Sequence, residues 1–265
     1  MRGHLGIRRR LAEEHMTARH DVALVTGAGS GICAEVARGL AARGLRVVLL
    51  DKDAEAVHRV ADGLGDRLAR HPLVADVTDP HALASAVDSL APQHRPGVLV
   101  NGVGGDTRAR SVTELTEADL QEAVTHNLAS VFTMTRLCVP AMVAAGWGRV
   151  VNLASVAGRT YTRFSNAAYV AAKAGVIGFT KQCAYELAPH GVTVNAVAHG
   201  VIGTERIRRA WEDKPPQWTA DRVSHIPAGR FGSVAEAAGM VCHLCGEDAG
   251  YTTGTVVDVN GGLHI

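Results

Sequence analysis

Seven short apolar runs, separated by stretches of helical spacing, limit what this chain can fold into more than any other feature. They fall at residues 22–26, 46–50, 72–75, 97–100, 149–153, 192–197 and 255–259. Each is rich in Val and Leu and lacks a clean polar alternation, as a strand covered on both faces does. Between them, stretches such as 34–42 and 82–90 repeat apolar residues at the spacing of one helix face.

Strand and helix taking turns along a chain predict an α/β, doubly wound, Rossmann-like fold: a seven-stranded parallel sheet flanked by helices on both faces. The 265 residues fit one such domain, and no repeat or low-complexity tract divides them, so 21–265 reads as a single domain. Residues 199–232 break the rhythm with Trp211, Trp218, the pair Pro215-Pro216 and many charges, which predicts a lid over a pocket. Residues 1–20 hold Arg2, Arg8, Arg9, Arg10 and Arg19 against Glu13 and Glu14, and read as a disordered basic extension.

A formal net charge of +1 gives no field that argues for nucleic acid or a membrane surface. Five cysteines, Cys33, Cys138, Cys183, Cys242 and Cys245, are odd in number and scattered, which suits core packing in a reducing, cytoplasmic setting. Cys242-x-x-Cys245 lies in an apolar helical turn with no second pair at ligand spacing, so no metal site is expected.

Thr26-Gly27-Ala28-Gly29-Ser30-Gly31-Ile32-Cys33 follows the first run and opens a helix. Glycines in such a turn let the backbone approach a pyrophosphate, while the helix N-terminus offers free N–H groups. Asp51 closes the second run. A carboxylate there accepts hydrogen bonds from both adenosine ribose hydroxyls and repels a 2′-phosphate, so the expected cofactor is NAD rather than NADP, with Lys52 weakening the choice. Cys33 at a helix N-terminus has a second reading as a reactive, redox-sensing thiol.

Further along stand Asn101-Gly102-Val103-Gly104, Asn127, Ser155, Tyr169-Val170-Ala171-Ala172-Lys173 and Asp258-Val259-Asn260-Gly261-Gly262. With the glycine turn, these make the chain from about residue 21 to its end resemble the short-chain dehydrogenase/reductases. Tyr169 and Lys173 are four apart and share a helix face. An ammonium within about 4–6 Å lowers a tyrosine pKa by roughly 1–3 units, suiting Tyr169 to general acid/base work. The Ser155 hydroxyl suits the substrate oxygen as charge develops on it. The resemblance implies that Lys173 also binds the nicotinamide ribose and that Asn127 anchors a water in a proton relay. It further implies cofactor contacts from Gly27, Gly29, Ser30, Gly31, Ile32, Asp76, Val77, Asn101, Gly102, Ile202 and Thr204. It also implies a homotetramer, or a dimer, through two long helices at 116–145 and 166–189.

The chain departs from the family pattern in three places. Cys33 replaces the last glycine of the turn, which predicts weaker or shifted cofactor binding. Gly102-Val103 replaces the usual Asn-Ala. His199-Gly200 replaces Pro-Gly, so that His199 either shapes the pocket floor, binds a polar substrate group, or is only a loop residue. Relatives that reduce carrier-bound 3-oxoacyl groups dock the carrier through arginines whose positions here fall at Pro140 and Tyr185, which turns the expectation toward a free small molecule. Val103, Tyr161, Phe164, His199, Trp211 and Trp218 are candidate pocket residues, and Arg108, Arg163 or Arg206 could instead grip a carboxylate. The expected activity is interconversion of a secondary alcohol and a ketone, and an arginine-, alanine- and glycine-rich composition hints at bacterial specialised metabolism. Carrier-bound ketoreduction and a non-catalytic NAD(H) sensor stay open beside it.

Overall fold

Side chains of a strand alternate between the two faces of its sheet, and in β1 (Val22–Thr26) both sets are apolar and buried. That places β1 inside the sheet rather than at an edge. It pairs with β2 (Arg46–Asp51) on one side and β4 (Val98–Asn101) on the other. β3 (His71–Val74) lies outside β2, and β5 (Gly148–Ser155), β6 (Val192–His199) and β7 (Val256–Val259) follow β4. Every pairing is parallel and the order is β3-β2-β1-β4-β5-β6-β7, the predicted seven-stranded sheet. The computed structural model describes residues 21–65, 71–106 and 108–265; the expected basic extension at 1–20 lies outside them.

Helices α1 (Gly31–Ala42), α2 (Ala54–Asp62) and α9 (Val234–Leu244) cover one face. There Val25, Leu49, Val100 and Val151 pack on Val36, Leu40, Val57 and Val241. On the other face α3 (Pro80–Asp88), α5 (Ser130–Ala145) and α6 (Ala167–Leu187) bring Leu83, Met134, Met142 and Ala184 onto Leu24, Leu50, Leu99 and Val150. Each such Leu or Val contributes about 1.5–3 kcal/mol by leaving water, so apolar burial holds the sheet from both sides. A short α4 (Glu117–Val124) runs through a π turn, Thr125–Ala129, into α5. The resulting rod, Glu117–Ala145, is long and apolar enough to cross a membrane by length and composition alone. Here it lies along the sheet with Met134, Cys138 and Met142 buried.

The chain winds outward from β1 to β3 and then returns to place β4 beside β1. A crevice therefore opens past the carboxyl ends of β1 and β4, the usual ligand position in such sheets. β5 and β6 extend furthest on that side, with Ser155 opposite His199. Residues 199–232 form α7 (Glu205–Glu212) and α8 (Pro216–Ser224), and a parallel bridge between Ile202 and Gly232 closes the segment on itself. The five cysteines are free and buried, and among the described residues no cluster of His, Cys, Asp or Glu could hold a metal.

Candidate active site

The glycine turn has the geometry its sequence requires. Gly27 and Gly31 adopt φ of +70° and +57°, which side chains rarely tolerate. A Cβ on Gly29 would stand 2.9 Å from Ala56 Cβ and 3.0 Å from Asp51 Oδ2. The bare backbone instead donates from Gly29 N to Asp51 Oδ2 at 2.9 Å, and Asp53 N donates to Oδ1 at 3.1 Å. No side chain caps α1 at Ser30, so its first-turn amides face the cleft ready for an anion.

That cleft, about 250 Å³, is lined by Gly27, Ser30, Gly31, Ile32 and Asp51 on one side. Asp76, Val77, Gly102 and Thr204 line it elsewhere. Two expected contacts differ. The Asn101 side chain is buried away from the cleft, donating to Thr135 Oγ1 at 3.2 Å and Asn152 Oδ1 at 2.9 Å, because β4 turns that residue inward. Gly29 acts through Asp51 rather than from the cleft wall. His126, missed in the sequence, lines the cleft beside Asp76, and burial lowers its pKa. The redox reading of Cys33 finds no support: the thiol is buried, and burial followed by the charge of Asp51 pushes it up to about 12.

A second cavity of about 170 Å³ adjoins the cleft and brings together Ser155, Tyr169, Lys173 and His199. Ser155 ends β5, while Tyr169 and Lys173 share one face of α6. Lys173 Nζ donates to Leu153 O at 2.7 Å and stands 5.9 Å from the centre of the Tyr169 ring. The expected depression of the tyrosine pKa is not found. Burial raises it, with the Ser155 hydrogen bond opposing, while Lys173 is itself pushed down to about 8 by burial and then by Arg206. Desolvation of the phenol outweighs the Ser155 hydrogen bond and the charge of Arg206, which both act to lower it.

Asn127 sits in the π turn, an irregularity frequent at functional sites. Its Nδ2 donates to Ala123 O at 3.0 Å and its Oδ1 accepts from Gly105 N at 2.8 Å. Gly104, at φ +147°, has no side chain where Asn127 and Lys173 converge: a Cβ there would stand 2.5 Å from Asn127 Oδ1 and 2.9 Å from Lys173 Nζ. Ile202 lines this second cavity together with Ile32 and Thr204.

Of the expected pocket residues, Phe164 and Trp211 form a wall, stacked with ring centres 6.1 Å apart. Trp218 stands behind it, edge-on to Trp211 at 4.9 Å, and does not reach the cavity. Tyr161 is 75% exposed and outside it. Val103 lines the cofactor cleft instead, against Gly27. His199 is no loop residue: it ends β6, is buried, and pairs its Nε2 with Ala237 O at 3.3 Å. Burial pushes its pKa down to about 4, so the ring is neutral near pH 7.

Two further groups hold the site. Asn166 caps α6, accepting from Tyr169 N at 3.1 Å, and donates through Nδ2 to Asp106 Oδ2 at 3.0 Å and Arg108 O at 2.9 Å. An asparagine just before an apolar helical run is a cap signal that could have found it. Asp106 lines the cavity and is joined to Arg108 at 2.9 Å. Arg108 also pairs with Glu122, and Arg163 lies outside the cavity against His225. Arg206 borders both cavities and donates to Gly104 O at 2.9 Å.

Over residues 27–264 the chain matches the protein family described as enoyl-(acyl carrier protein) reductase. It is 35% identical over 245 residues to the 3-oxoacyl-[acyl-carrier-protein] reductase of Escherichia coli, covering 92% of this chain and 97% of that one. It is 37% identical over 242 residues to the 2-dehydro-3-deoxy-L-rhamnonate dehydrogenase (NAD(+)) of a Sphingomonas species, covering 91% and 94%. The crystal structure of a 3-oxoacyl-[acyl-carrier protein] reductase from Brucella melitensis with bound NAD is similar at a TM-score of 0.82 and 32% identity, over 95% of each chain.

Proposed function

The chain belongs to the short-chain dehydrogenase/reductase family of NAD(P)-dependent oxidoreductases, and from that premise we propose that it interconverts a secondary alcohol and a ketone on a free small molecule with NAD. The observation that carries this reading is the meeting of Ser155, Tyr169 and Lys173 in a cavity continuous with a glycine-built cleft. The cleft residues fit the cofactor: bare glycines and the uncapped α1 amides for the pyrophosphate, and Asp51 for the adenosine ribose. When bound, the nicotinamide accepts or supplies the hydride.

In this proposal Ser155 holds the substrate oxygen, and Tyr169 takes the hydroxyl proton in oxidation or returns it in reduction. Lys173 favours the phenolate as the proton leaves and holds the nicotinamide ribose, and Asn127 anchors the water that connects Lys173 to solvent. Asp51, fixed by two backbone amides, repels a 2′-phosphate and selects NAD. The segment 199–232 serves as the lid.

A free substrate is supported by Pro140 inside α5 and by the exposed Tyr185 on α6, where carrier-docking arginines would stand. The name of the Escherichia coli relative favours a second reading, reduction of carrier-bound 3-oxoacyl groups. Exposed Leu120 and Phe132 on the α4–α5 rod, with Tyr185 on α6, are the faces of the proposed homotetramer in the cytoplasm. Titration with NADH and NADPH in one buffer, read by reduced-nicotinamide fluorescence, tests the proposal. Tenfold tighter NADH supports it; binding of neither cofactor overturns it.

A further inference from the structure

The charged side chains that line the substrate cavity are Asp106, Lys173 and Arg206, and with Lys173 assigned above to the nicotinamide ribose, Arg206 is the one left for a charged substrate group. Asp106 accepts from Arg108 N at 2.8 Å, Arg108 Nε at 2.9 Å, Arg108 Nη2 at 3.0 Å and Asn166 Nδ2 at 3.0 Å. Its oxygens are thus occupied and its charge is balanced by a guanidinium. Lys173 lies buried behind Tyr169 and is tied to Leu153 O.

Arg206 differs from both. It rises from the first turn of α7, five residues before the aromatic wall at Trp211, and crosses the mouth of the cavity to Gly104 O. Among the described residues no carboxylate pairs with it. A guanidinium has five N–H donors, and this hydrogen bond uses one. The loop beneath is shaped to let it cross: a Cβ on Gly105, at φ +124°, would stand 2.6 Å from Arg206 Nη1 and 2.8 Å from its Cζ.

We infer that the substrate is a small hydroxy or oxo acid whose carboxylate is received by Arg206, while its alcohol or ketone carbon faces Ser155 and Tyr169. This rests on the reaction proposed above and names its substrate class. The forked guanidinium matches a carboxylate with two parallel hydrogen bonds, and the Phe164–Trp211 wall covers the carbon skeleton beside it. Arg206 thereby answers which of the three arginines grips an acid, since Arg108 is spent on Asp106 and Glu122 and Arg163 lies outside the cavity.

The test uses pairs of compounds that differ only in carboxylate against hydroxymethyl: lactate with propane-1,2-diol, and gluconate with glucitol. Each is titrated into the protein–NADH complex at constant ionic strength, with nicotinamide fluorescence as the readout. In the native protein the acid of at least one pair should bind at least tenfold tighter than its neutral partner. Arg206→Gln should erase that preference with NADH affinity held within twofold, whereas Arg209→Gln, the same charge change on an exposed part of the same helix, should keep it. No preference in either pair overturns the inference, as does a preference that survives in Arg206→Gln. A tenfold loss of NADH affinity in Arg206→Gln also overturns it, by assigning the guanidinium to the cofactor diphosphate. A protein that binds no NADH refutes the oxidoreductase reading itself; one that binds NADH without regard to ligand charge refutes only the acid.

Discussion

The Cys33 thiol of α1 occupies the space that a side chain at residue 102 would need. The cysteine in place of the turn's last glycine and the glycine in place of an asparagine after β4 are therefore one exchange, in which volume moves from the loop to the helix. Gly102 gives the Cys33 side chain room that the expectation of weaker or shifted cofactor binding did not take into account.

The exchange predicts a coupled pair. Gly102→Ala should cost about 1–3 kcal/mol, the usual effect of overpacking a closed site. With Cys33→Gly already in place the cost should shrink, leaving only the approach of the new Cβ to Thr26 O at 2.9 Å. Urea unfolding of the two single variants and the double variant measures the interaction. Additivity within about 0.5 kcal/mol would mean the two sites are independent.

Tyr169→Phe removes the proposed acid/base oxygen and keeps the ring. Alcohol oxidation should fall by about 10² to 10⁴ while NADH still binds, since the cleft is untouched. In the proposed reaction oxidation consumes a base, and burial pushes Lys173 down to about 8 beside a phenol that burial raises. Its rate should rise with pH from about 8 upward, and ketone reduction should fall over the same range. Full oxidation by Tyr169→Phe, or a flat profile between pH 7 and 9.5, would count against the assignment.

The sheet was legible because parallel strands covered on both faces read as unbroken Val and Leu. Where a strand ends in polar residues the pattern stops early: β5 runs on to Ser155 and β6 to His199, and those last residues belong to the site. Tyr169 and Lys173 could be read because both motif and chemistry lie within one helical turn. Trp218, Tyr161 and Val103 could not, since composition does not say which side of a lid or loop faces the cavity. Arg206 was indistinguishable from Arg108 and Arg163 because the sequence does not say that Arg108 folds onto Asp106 and Glu122 or that Arg163 meets distant His225. The π turn around Asn127 is one extra residue in a hydrogen-bond ladder and leaves no compositional mark.

Asp51 is held by Gly29 N and Asp53 N with its carboxylate on the cleft wall. Asp51→Ala removes both the proposed ribose acceptor and the proposed repulsion of a 2′-phosphate. The ratio of NADPH to NADH dissociation constants should fall by about tenfold or more, roughly 1.4 kcal/mol, in fluorescence titration. An unchanged ratio would move cofactor choice to another residue.

Asn166 joins the cap of the catalytic helix to the loop after β4 through Asp106. Asn166→Ala should cost about 1 kcal/mol of stability, and it should lower kcat more than it weakens NADH, because Tyr169 sits in the first turn that the cap fixes. Asn166→Ser restores the cap without the bond to Asp106. Recovery of stability without recovery of kcat in that variant would locate the positioning effect in the Asp106 link, and recovery of both would locate it in the cap alone.

His199 gives the fold a pH dependence whose sign follows from its burial. Burial pushes its pKa down to about 4 from the ordinary 6.5, so between these values the unfolded chain binds a proton that the native state refuses. The stability associated with the neutral ring is fully present above about pH 6.5 and is lost as pH falls toward 4, by roughly 3 kcal/mol in all. Acid carboxylates contribute losses of their own, so the informative quantity is a difference of slopes. His199→Gln keeps a donor near Ala237 O but cannot titrate. Between pH 7 and 4.5 its melting temperature should fall less than that of the native protein, whatever its starting value. Equal falls would show that the buried ring takes up its proton as readily folded as unfolded, and that the strand end at His199 is open to water.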